Sequence, residues 1–201
     1  MKLIATIFAF FTLALALPGM AEDAPADAES LYRQALRIHS AANGGNGNAD
    51  TEQAQKALAL YMKAAKLGHT DALNYVGGFY DKGIVVKRDL AKAFSSYMQA
   101  ASAGNPLAQF NVASMYLNGE GTDRDYKEAI EWFKKSAENG NAKAAFNLGV
   151  MYYTGQGVKP SEAAAREWFK KSAKNGNAFA PYAIERLGQD MTFYPRDLSD
   201  I

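Results

Sequence analysis

Apolar and small residues fall three and four positions apart along most of this chain, and the arrangement returns every 36 positions. Residues 71–106, 107–142 and 143–178 align in register without a gap. Each stretch opens with an alanine (Ala72, Ala108, Ala144), passes a small residue (Gly77, Ala113, Gly149) and a tyrosine (Tyr80, Tyr116, Tyr152), and reaches a glycine (Gly83, Gly119, Gly155). Residues four apart share a helix face, so Ala72, Val76 and Tyr80 form an apolar stripe, as do Ala108, Val112, Tyr116 and Ala144, Leu148, Tyr152. The spacing predicts a helix that stops at the glycine. Asp89, Asp125 and Ser161 then share one position, and their side-chain oxygens suit the free amides of a helix start; Glu128 completes a capping box with Asp125. The second helix carries Ala93, Ala129, Ala165, the rings Tyr97, Phe133, Phe169, and the pairs Ala100-Ala101, Ser136-Ala137, Ser172-Ala173. Its predicted stops are Gly104, Gly140 and Gly176, each a left-handed cap.

One such helix pair exposes both outer faces, so the pairs must stack to bury their apolar stripes. Residues 51–70 match the second helix of an earlier copy through Ala57, Tyr61, Ala64-Ala65 and Gly68, and its first helix is expected from Ala28 to about Ser40. Residues 41–50, mostly Gly, Asn and Ala, read as a flexible loop. A further copy begins at 179–189, with Ala180 in register and Pro181 acceptable in a first turn, and 191–201 reads as a terminal cap or tail. The repeats are expected to occupy 30–190.

Residues 1–21 have another character. Lys2 precedes an apolar run from Leu3 to Leu17, and small residues stand three and one before a cut after Ala21, the pattern of a secretory signal peptide. An uncleaved anchor is the alternative, although the run falls short of the ~20 residues that span a bilayer. Residues 22–29, rich in Ala, Asp and Glu, are expected to form a flexible leader. The mature chain is expected to be periplasmic or secreted, from a Gram-negative bacterium, with no membrane insertion of its own.

Composition narrows the chemistry. Of 201 residues 48% are hydrophobic and 21% charged, a globular balance. Lys and Arg number 22 against 21 Asp and Glu, which gives no electrostatic case for nucleic acid. With no cysteine and only His39 and His69, disulfides, thiol nucleophiles, Cys-ligated zinc and most histidine-based sites are out of reach, so no cofactor or metal is expected. Glu131 and Glu167 recur at one repeat position, but beside Lys134-Lys135 and Lys170-Lys171 they read as solvated helical ion pairs. His69 follows the cap glycine Gly68, where later copies have Asn105, Asn141 and Asn177, and reads as a loop residue. The serines, Ser95 and Ser114 included, lack an ordered His and acid; Gly119-Glu-Gly121 and Gly155-Gln-Gly157 follow helices instead of preceding them, unlike phosphate loops. The chain is not expected to be an enzyme.

The frame Ala144, Leu148-Gly149, Tyr152, Gly155-Gln-Gly157-Val158, Ala165, Trp168-Phe169, Ala173, Gly176, repeated around Trp132-Phe133, resembles the Sel-one-like repeat family, relatives of tetratricopeptide repeats. Val85 replaces the glycine found at Gly121 and Gly157, and Ser96 replaces Trp132 and Trp168, so the first loop's shape stays open. The resemblance implies an all-α, right-handed α-α superhelix, a solenoid of tandem 36-residue helix pairs whose concave surface binds proteins or peptides. By the same resemblance, first-helix positions outside the frame face the inner curve. Asn74, Tyr75, Phe110, Asn111, Leu117, Asn118, Phe146, Asn147, Tyr153 and Tyr182 are therefore the expected partner-binding residues, with Asp81 and Lys82 offsetting each other's charge. Amides that donate and accept, set among rings, suit an extended peptide. Phe110, Phe146 and Tyr182 share one repeat position and read equally well as partial inter-repeat core. Trp132 and Trp168, next to Phe133 and Phe169, are expected to pack between repeats. The expectation is a monomeric adaptor in envelope or host interaction; the alternative is a periplasmic immunity protein that neutralises a delivered toxin.

Overall fold

The structure is a computed structural model, and it describes residues 27–43 and 51–188. The described residues form α1 (Ala28–Asn43), α2 (Thr51–Lys66), α3 (Thr70–Lys82), α4 (Leu90–Ser102), α5 (Pro106–Asn118), α6 (Tyr126–Glu138), α7 (Ala142–Thr154), α8 (Glu162–Lys174) and α9 (Ala180–Arg186). Each helix packs on the next in sequence. This is the all-α solenoid of helix pairs that the spacing implies. The proposed signal peptide, leader residues 22–26, loop residues 44–50 and tail 191–201 lie outside the described residues. Ala28 and Glu29 stand in the first turn of α1 instead of the leader, where Asp27 Oδ1 accepts from the Ser30 amide at 2.6 Å. The first helix also runs past Ser40, through Ala41 to Asn43.

Side-chain caps start every helix from α3 to α8. Asp89, Asp125 and Ser161 accept from amides in the first turns of α4, α6 and α8, as their residue types lead one to expect. Their own amides donate to the carbonyls of Tyr80, Tyr116 and Tyr152 at 2.8–2.9 Å, which fixes the length of the intervening loop. The other set of caps went unread in the sequence. Asn105 and Asn141 cap α5 and α7. His69 is the equivalent cap on α3 and not a plain loop residue: Nδ1 accepts from the Ala72 amide at 3.3 Å, while Nε2 lies 3.0 Å from Glu29 Oε2 on α1.

Small residues set how closely the two helices of a pair approach. A Cβ on Gly77 would lie 2.6 Å from the Tyr97 ring, and one on Gly149 would lie 2.5 Å from the Phe169 ring. Ser136 and Ser172, both fully buried, donate to the carbonyls of Pro106 and Ala142 at 2.7 Å and tie each second helix to the start of its partner. Trp132 is partly buried against two successive apolar clusters, hence between repeats, with Lys135 Nζ 3.8 Å from its ring centroid. Trp168 is also partly buried.

Val85 keeps the loop shape of the later copies at a conformational expense of roughly 1–2 kcal/mol for a left-handed non-glycine residue. Its φ of 54° matches Gly121 at 67° and Gly157 at 73°. A Cβ on Gly121 would lie 2.2 Å from the Leu90 carbonyl, and one on Gly157 would lie 2.5 Å from Tyr126. The residue in register with Leu90 and Tyr126 is Ala54, a smaller side chain in the same apolar cluster that Val85 packs against.

Candidate functional site

The second helices α4, α6 and α8 carry exposed charge, including the ion pairs Lys92–Asp89, Lys134–Glu131, Lys170–Glu167 and Arg166–Glu162. The first helices α3, α5 and α7 meet around a cavity of about 220 Å³. Of the ten expected binding residues, Phe110, Asn111, Leu117, Asn118 and Asn147 line it. Asn74 joins Phe110 and Asn111 along an adjoining shallow groove that Pro106, Leu107 and Lys143 also line. Asn111 Nδ2 donates to Asn74 Oδ1 at 3.0 Å, which links α5 to α3 across the repeat boundary. Leu107 is 59% exposed, an apolar foothold at the groove's edge.

The remaining four expected residues lie elsewhere. Phe146 is fully buried, 5.1 Å between ring centroids from Phe169 and in one cluster with Ala180 and Ala183 of α9, so it serves as core and not as a partner contact. Tyr75 is half-buried, its ring stacked parallel on Tyr61 at 4.6 Å within the amino-terminal aromatic cluster. Tyr153 packs partly buried against the cluster of α7, α8 and α9. Tyr182 is 48% exposed on α9 with Arg186 beside its ring, outside the cavity.

Sequence reasoning missed several contributors. Tyr97 belongs to α4, yet its ring passes beneath α3 where Gly77 and Gly78 leave room, and its hydroxyl reaches the cavity. The later copies have Phe133 and Phe169 there, while Tyr61 holds the place in the copy before, so the polar atom is confined to the first two copies, and the swap of Tyr for Phe was the available signal. Burial first, then the Asp81 carboxylate, push the Tyr97 hydroxyl well above the ordinary tyrosine range. Asp81, Ser114, Met115, Glu120 and Lys143 complete the lining. Lys82 does not line it; its charge is instead felt by His39 of α1, so the expected cancellation with Asp81 does not hold.

Two buried polar side chains in this cavity have no protein partner among the described residues. Tyr97 is 5% exposed and Asn147 3% exposed, and neither the hydroxyl nor the amide makes a hydrogen bond there. Neither group is sealed from solvent, since Gln156 Oε1 is the enclosed side-chain oxygen without a partner among the described residues; the Tyr97 and Asn147 groups meet water in the cavity and stay open to a ligand. The cavity thus combines hydrogen-bonding groups, the Phe110 ring and side chains of both charges. Among the described residues no group of three or more His, Asp or Glu is placed for a metal ion, and no helix is long and apolar enough to cross a membrane.

The Sel1 repeat model matches residues 41–69, 70–105, 106–141 and 142–177. Among solved structures the chain is similar to a protective antigen present in uropathogenic Escherichia coli strains that displays an SLR fold, at 32% identity and TM-score 0.71. That match covers 78% of this chain and 32% of the antigen, so this chain spans only about a third of its length. A Sel1 repeat protein from Oxalobacter formigenes is similar at 26% identity and TM-score 0.74, over 85% of this chain and 68% of that one. No curated protein matches the chain.

Proposed function

From the premise that this chain belongs to the Sel1 repeat family, whose repeats typically mediate protein–protein interaction, we propose that it is a non-enzymatic binding module that grips an extended polypeptide along α3, α5 and α7. The observation that carries this reading is the inner cavity, where the Tyr97 and Asn147 side chains make no protein hydrogen bond and stay open to a ligand. A bound main chain supplies both donors and acceptors to such groups, while Phe110 and Leu107 give apolar anchors. Stacked repeats hold these side chains in place before the partner arrives, which lowers the entropy lost on association.

The apolar run from Leu3 to Leu17, with a cut expected after Ala21, supports export, with the module acting outside the cytoplasm as an adaptor in envelope or host interaction. Mass spectrometry of the exported protein should find a new amino terminus near Glu22; a full-length cytoplasmic product contradicts export. For the binding surface, the protein is used to capture partners from envelope extract in parallel with its Asn111→Ala/Asn147→Ala variant. Loss of the same partner from the variant is expected, and equal recovery by both proteins contradicts the inner-face reading.

A further inference from the structure

The inner cavity has a chemical direction. Asp81 stands in the last turn of α3, and Glu120 lies just past the end of α5, so two carboxylates sit where helix ends carry partial negative charge. Lys143 stands in the first turn of α7, the positive end of that helix, and lines both the cavity and the adjoining groove. The Tyr97 hydroxyl adds an acceptor on the acidic side, close enough for the Asp81 charge to be felt there. Arg88 is held beside Asp81, its Nε donating to the Asp81 carbonyl at 2.7 Å and its Nη2 ion-paired with Oδ1 at 3.9 Å; that pair is beyond hydrogen-bond reach and leaves the carboxylate able to accept. Phe110 and Met115 form an apolar wall beside these groups. The volume of about 220 Å³ falls below the roughly 300–1,000 Å³ of small-molecule and cofactor sites, and suits one long side chain.

We propose that this cavity receives a lysine or arginine side chain of an extended peptide, with its cationic head between Asp81 and Glu120 and its aliphatic stem along Phe110. The proposal rests on the reading of the inner face as peptide-binding and adds what the peptide must carry. Lysine and arginine heads donate and never accept, which matches two carboxylates and a tyrosine oxygen. Asn147 and Asn111 remain for the peptide's main chain, and Lys143 repels a second cation at the far end. An apolar side chain in the same place would shut the carboxylates, the hydroxyl and the amide away from water without partners. An acidic side chain would face Asp81 and Glu120.

A random heptapeptide library displayed on phage and selected on the immobilised protein tests this directly. Selected peptides are then synthesised with the basic residue and with norleucine or glutamine in its place, and their affinities are measured by fluorescence anisotropy. The expected result is enrichment of Lys or Arg at one position, at least a tenfold affinity loss on its replacement, and weaker binding as salt rises. Asp81→Asn/Glu120→Gln should abolish that preference while circular dichroism shows an unchanged helical chain. Peptides that depend on Asn111 and Asn147 yet carry no basic residue overturn the charge proposal and leave the inner-face reading standing. So does a basic preference that survives Asp81→Asn/Glu120→Gln. If no selected peptide depends on Asn111 or Asn147, both readings fall.

Discussion

Gly149→Ala measures how tightly the helix pairs that build the groove are set. The new methyl would lie 2.5 Å from two Phe169 ring carbons and 2.9 Å from a third, where ordinary carbon contacts stand at about 3.5–4.0 Å. Phe169 has nowhere to retreat: it is fully buried against Phe146 and shares a cluster with Ala180, Ala183 and Leu187. Overpacking of this kind costs about 1–3 kcal/mol, while alanine in a helix interior gains about 1 kcal/mol over glycine. The net loss is therefore about 1 kcal/mol, or about 2–4 °C in Tm for a chain of this size. With Phe169→Leu in the background the obstruction is removed and only the helix preference remains, so the same Gly149→Ala change should become neutral or stabilising. The coupling between the two sites is then about 1–3 kcal/mol. Urea unfolding of all four proteins, followed by far-ultraviolet circular dichroism and by Trp132 and Trp168 fluorescence, measures it and shows whether the repeats unfold together. An unchanged cost of Gly149→Ala in both backgrounds would refute the packing argument.

Three further outcomes are expected. His39 is held below its ordinary value by burial, with Lys82 adding to the effect, so the unfolded chain takes up its proton first as pH falls. Stability from this site is present above the unfolded value of about 6.5 and declines as pH drops below it; His39→Phe should reduce the slope of unfolding free energy between pH 5 and 7, as denaturant titrations will show. Gly121→Ala combines left-handed strain of roughly 1–2 kcal/mol with a methyl 2.2 Å from the Leu90 carbonyl, whereas Gly104→Ala meets only the strain; thermal melts should rank Gly121→Ala clearly below Gly104→Ala, and equal losses would contradict the loop geometry. Asn147→Leu removes an amide that makes no protein hydrogen bond and meets water in the cavity, at little change in volume, and should shift stability by less than about 1 kcal/mol; a loss of about 2 kcal/mol or more in chemical denaturation would mean that the amide has a partner in the folded chain.

The period of 36 residues made the fold legible because stacking gives equivalent positions equivalent surroundings. Ala72, Ala108 and Ala144 are all fully buried, and Tyr97, Phe133 and Phe169 all sit under the small residue of the facing helix. The same logic limits what could be read of the site. Register assigns a helix face and not a depth: Phe110 and Phe146 share a position, yet Phe146 is enclosed by α9 while Phe110 borders the cavity. The cavity's distinctive chemistry comes from residues that break the repeat, namely the charges of Asp81, Glu120 and Lys143, set beside a Tyr97 hydroxyl that the two later copies lack. His69, Asn105 and Asn141 cap α3, α5 and α7 directly after the glycine that ends the preceding helix, so the pattern places them in a loop and leaves their role at the next helix start unread.

Photocrosslinking from defined positions tests most directly which face meets the partner. A benzophenone-bearing residue is placed at Asn118, on the cavity, or at Glu131 or Glu167, on the outer helices, in cells that make the protein. The account predicts one discrete adduct from Asn118 and none of that mass from Glu131 or Glu167. Adducts of the partner from the outer positions, with none from Asn118, would contradict it.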